Sequence, residues 1–74
     1  MKFLFLYSFL LASGQTLEAE RQAVDPARHR PVRTMQHCEQ LAMEQAERMR
    51  EAFRVSTNPM FQDVIITCEK RRRP

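Results

Sequence analysis

The stretch TMQHCEQLAMEQAERMREAFRVSTNPMFQDVIITC, residues 34–68, decides the fold. With Cys38 as origin and about 100° per residue, Met35, Leu41, Ala42, Ala46, Met49, Ala52 and Phe53 fall within about 80° of it. Gln45 interrupts that stripe, while Glu39, Glu44, Glu47, Arg50, Glu51 and Arg54 lie outside it. This period is helical, and Ala, Met, Glu, Gln, Leu and Arg are good helix formers. Acids precede arginines along the segment, the order the helix dipole favours. Thr34 is the expected N-cap, and Ser56-Thr57-Asn58-Pro59 the stop.

Past the stop, the β-branched run Val64-Ile65-Ile66-Thr67 favours an extended strand from Phe61 to Cys68. A helix from Cys38 to Val55 climbs about 25 Å at ~1.5 Å per residue. A strand from Phe61 to Cys68 returns about 23 Å at ~3.3 Å per residue. The matched lengths bring Cys68 beside Cys38 and predict a disulfide closing a loop of about 30 residues, worth about 3.6 kcal/mol on chain-entropy grounds. In such a strand Phe61 and Ile65 face away from the helix. The Val64–Cys68 edge is left with unpaired backbone groups, which give it a reason to add a strand from another molecule. A symmetric homodimer or a strand-donating protein partner is the expected occupant.

Residues 1–14 have the form of a signal peptide: Lys2, the apolar run Phe3–Ala12, then Ala12-Ser13-Gly14 before a cut. A cut after Ala19 is the alternative. The run is short for a bilayer-spanning helix, which needs ~20 apolar residues. Residues 15–33 read as a flexible basic linker, with a possible short helix over Thr16–Val24. Residues 69–74 read as a basic tail. The expected fold is therefore a small, helix-dominated α+β unit over 34–68. It comprises one long amphipathic helix, a turn and one short strand stapled back by Cys38–Cys68. A domain of about 60 residues buries only ~60% of its unfolded surface, so a staple or a partner is physically motivated.

The chemistry-bearing residues are few. His37 and Cys38 are adjacent and so point about 100° apart on a helix, which makes no nucleophile–base dyad. His29, His37, Cys38 and Cys68 lack metal-site spacing. The one glycine, Gly14, rules out a glycine-rich phosphate loop. No catalytic residue, cofactor or metal is expected. Arg28, Arg30 and Arg33, with Lys70, Arg71, Arg72 and Arg73, suit an anionic surface. No aromatic interleaves with them, which argues against nucleic acid. The reading is an exported, periplasmic or extracellular, non-enzymatic binding or accessory protein acting through a protein partner. The alternative is a secreted cationic effector, antimicrobial or toxin-like, acting on anionic envelopes.

Overall fold

A computed structural model describes residues 2–57 and 60–72. The expected turn residues Asn58 and Pro59, and Arg73 of the basic tail, lie outside the described residues. Five strands and one helix follow in order. They are β1 (Lys2–Leu11), β2 (Thr16–Gln22), β3 (Val24–Asp25), β4 (Arg30–Pro31), α1 (Met35–Val55) and β5 (Phe61–Arg71). The main sheet is antiparallel in the order β2-β1-β5, and β3 and β4 form a separate two-residue ribbon.

The helix is where its period places it. The Thr34 side chain accepts the His37 N–H at 3.2 Å, and the Ser56 N–H bonds the Phe53 carbonyl. Cys38, Ala42 and Ala46 are its buried residues; small side chains there let the helix approach the sheet closely. Cys38 and Cys68 are bonded, with Cα atoms 6.1 Å apart, inside the range a disulfide requires. No helix among the described residues is long and apolar enough to cross a membrane.

The helix-dominated expectation is overturned. Strand makes up 46% of the described residues and helix 30%, so the protein is a small α+β fold built on its sheet. The cause is β1. Lys2–Leu11 forms the central strand, and β5 pairs with it along its length, from Lys2 opposite Arg71 to Leu10 opposite Asp63. Phe3, Phe5, Tyr7 and Phe9 alternate onto the helix side, as a strand's period of two requires. The first three are at most 7% exposed and form the core with Cys38, Ala42, Ala23 and Val32. The lone strand of the sequence reading thus has a neighbour within the chain, and it runs to Arg71 rather than Cys68.

The segment expected as a linker carries β2, β3 and β4. Every residue of β2 is exposed, so its order comes from the ladder with β1 and not from a buried face. The β1–β2 loop closes through Gly14, whose φ of 92° is strained for any residue with a Cβ. Its N–H donates to the Leu11 carbonyl at 2.9 Å. On the second face of the sheet Leu4 is 6% exposed although no helix of the described residues lies there. Arg71 bridges Glu69 of β5 and Glu20 of β2 across β1, and the register puts that cluster over Leu4. The two carboxylates, Glu69 first, hold the Arg71 guanidinium above its ordinary value.

Candidate protein interface

Among the described residues, no strand lies beside the outer edge of β5. At Val64 the edge is closed by side chains. Its N–H donates to Asp63 Oδ1 at 2.8 Å, and its carbonyl accepts Arg50 Nη2 at 2.8 Å. Arg50 Nε also donates to Asp63 Oδ1 at 2.9 Å, so helix and strand are tied by one guanidinium. Both backbone groups of Val64 therefore point away from β1. In an antiparallel ladder that direction recurs at every second residue, which assigns Ile66 and Cys68 to the open edge and Ile65 and Thr67 to the ladder with β1. Among the described residues, the N–H and C=O groups of Ile66 and Cys68 have no protein partner.

A groove of about 320 Å³ runs along this edge between α1 and β5, with Met43, Ala46 and Arg50 on the helix side and Ile65 to Cys68 on the strand side. Met43 is 61% exposed and Ile65 58%, so an apolar margin borders the unpaired backbone.

Arg50, and then the Val64 N–H, hold the Asp63 carboxyl below its ordinary value of 3.8. The contribution of this closure is therefore complete above pH 3.8 and is lost as the pH falls through the depressed value. Amide exchange at Val64, corrected for its intrinsic pH dependence, should accelerate below that point. Asp63→Asn should remove the transition.

The expected interface residues part company. Ile65 sits on the face away from the helix, as its strand parity implies. Phe61 does not. The register slips between Leu10 and Leu11, and the irregularity re-aims the strand end. The Phe61 ring lies 5.1 Å from that of Phe9 and 5.6 Å from that of Phe53, in the aromatic end of the core.

Of the basic residues, Arg28, Arg30 and Arg33 border a depression of about 260 Å³ around the Asp25–His37 pair, whose Oδ2 and Nε2 are 3.3 Å apart. Lys70, Arg71 and Arg72 are at the same end of the sheet, where β1 begins, but Arg71 is engaged by Glu69 and Glu20. No group of three or more His, Cys, Asp or Glu among the described residues is placed to hold a metal.

Sequence reading missed Arg50, Asp63 and Met43. The signal for the first two was their charge opposition across the turn. Met43 lay off the apolar stripe, and an exposed Met on a polar face was its own signal. No family model matches the chain, nor does any curated protein or solved structure. Fold and edges together define a small disulfide-bridged α+β protein whose three-stranded sheet ends, among the described residues, in two edge strands, β2 and β5.

Proposed function

We propose that this is an exported, non-enzymatic binding module that acts by strand addition at the open edge of β5, with a second copy of itself as the occupant. The observation that carries this reading is the unpaired backbone of Ile66 and Cys68 beside the Met43 groove. The Cys38–Cys68 bridge supports an oxidising compartment outside the cytoplasm.

The charge pattern selects the register. Antiparallel pairing about a two-fold axis at Thr67 sets Ile66 against Cys68 of the second copy, and Asp63 against Arg71 of the second copy. An axis at Ile66 would oppose Asp63 to Glu69, two like charges, which destabilises a cross-strand pair. The Thr67 register extends the sheet to six strands and brings the two Met43 side chains to one seam. The cationic-effector alternative has less support, because Arg71 is bound by two carboxylates and the formal net charge is only +3.

Analytical ultracentrifugation over a concentration series tests the reading. The full chain should dimerise. Ile66→Pro removes an edge N–H and Met43→Lys places a charge at the seam, and each should shift the equilibrium toward monomer. Met43 is exposed, so its variant leaves the fold intact if Ile66→Pro does not. A chain that stays monomeric at millimolar concentration, or a Met43→Lys variant that dimerises like the wild type, overturns it.

A further inference from the structure

The helix packs on β5 and β1 and leaves β2 uncovered on the same face. A groove of about 340 Å³ occupies the space, at the small end of the range of small-molecule sites, ~300–1,000 Å³. Its floor is Phe5 and Tyr7, two buried rings set edge to face with centroids 6.3 Å apart. Leu41, Gln45 and Arg48 form the helical wall, spaced four and three residues apart and so on one stripe. Arg21 stands opposite Phe5 in the β1–β2 register, which puts it on the groove side of the sheet.

The chemistry lining this groove has one sign. The chain carries nine carboxylate side chains, yet none lines the groove. Arg21 and Arg48 do, and neither has an ion-pair partner among the described residues. Gln45 adds a further donor. Its Oε1 accepts the Tyr7 hydroxyl at 3.0 Å, which fixes the amide oxygen and, among the described residues, leaves the amide nitrogen without a protein partner. An aromatic floor beneath three unpaired nitrogen donors is complementary to a flat apolar body bearing an anion.

The geometry points to a binding site for a small aromatic carboxylate, of one or two fused rings, seated against Phe5 and Tyr7 and held between Arg21 and Arg48. The guanidinium fork pairs with a carboxylate through two parallel hydrogen bonds, which a neutral group of the same shape does not reproduce. This site lies on the opposite flank of α1 from the β5 edge, so its occupancy and dimerisation are separate properties.

The probe is 1-naphthoate, titrated into the full disulfide-bonded chain by calorimetry and by NMR of the Tyr7 ring, the one tyrosine in the sequence. Saturable binding with Kd about 0.1–1 mM is expected for a ligand of this size, with Tyr7 resonances shifting in step. Arg21→Ala and Arg48→Ala should each weaken it about fivefold, the scale of an exposed ion pair. The neutral 1-naphthalenemethanol should bind at least as weakly as the doubly substituted chain binds naphthoate. Both arginines are exposed, so the variants fold. No shift at Tyr7 with millimolar naphthoate, equal affinity for the neutral alcohol, or wild-type affinity in the double variant overturns the site.

Discussion

Phe5→Ala is expected to unfold the protein. Phe5 is 6% exposed at the centre of β1 and packs in one cluster with Tyr7, Cys38 and Ala42. Truncating a buried Phe costs about 3–5 kcal/mol, the sum of lost transfer energy and the cavity left behind. A core in a chain this short supplies a stability of about the same size, so little remains. Urea denaturation followed by far-UV circular dichroism, with the near-UV signal of Tyr7 as a second probe, should show the variant without a cooperative transition. Leu17→Ala is the control, because Leu17 is 51% exposed on the outer strand and should change stability by less than about 0.5 kcal/mol. A Phe5→Ala chain as stable as the parent would mean that Lys2–Leu11 is not the central strand.

Loss of the disulfide should have an effect of similar size by a different route. The bridge joins residues 30 apart and ties the first turns of α1 to the far half of β5. Its removal frees a long loop in the unfolded chain, and for small secreted domains this costs about 2–5 kcal/mol. Cys38 is fully buried against the sheet, so Cys38→Ser adds a buried hydroxyl to the loss. Cys38→Ala is the cleaner variant. Both Cys38→Ala and Cys68→Ala should lower the urea midpoint to the same extent as reduction of the parent by dithiothreitol. If reduction leaves the midpoint unchanged, the bridge contributes nothing to the fold.

The helix, its N-cap and the staple were legible because each rests on a local or metric rule. The period of 3.6 is visible between Cys38 and Phe53, and two rise-per-residue values make the cysteines meet. The central strand was not legible for a specific reason. Its two faces are aromatic (Phe3, Phe5, Tyr7, Phe9) and largely aliphatic (Leu4, Leu6, Leu10), so the alternation is between two kinds of apolar residue and vanishes from a polar–apolar pattern. What remains is a cation, an apolar run and small residues, the form of an export signal. Once that run was set aside, β5 had no neighbour and β2 had no ladder to join. β2 has little signal of its own, since it is exposed throughout. Which face each residue of β5 takes was legible only in part. Strand parity found Ile65, whereas the slip at Leu10/Leu11 turned Phe61 inward, and Arg50 was read only as part of a solvated face.

If Lys2–Leu11 served as an export signal as well as a strand, folding would become a race against the ribosome. A targeting receptor needs these ten residues unpaired, whereas the β1–β2 hairpin hides their backbone as soon as Thr16–Gln22 is available. Hairpins close in about 1–10 μs, whereas synthesis adds only about 5–20 residues each second. Closure is therefore effectively immediate once the seven residues of β2 are clear of the exit tunnel. Any receptor that reads the run has to hold it before that moment, and a chain released late keeps its first strand locked in the sheet. Peptidase cleavage after Gly14 would then be irreversible in a structural sense. It would remove the strand on which β2 and β5 both depend, and leave the helix and β5 joined by their disulfide with both edges of β5 bare.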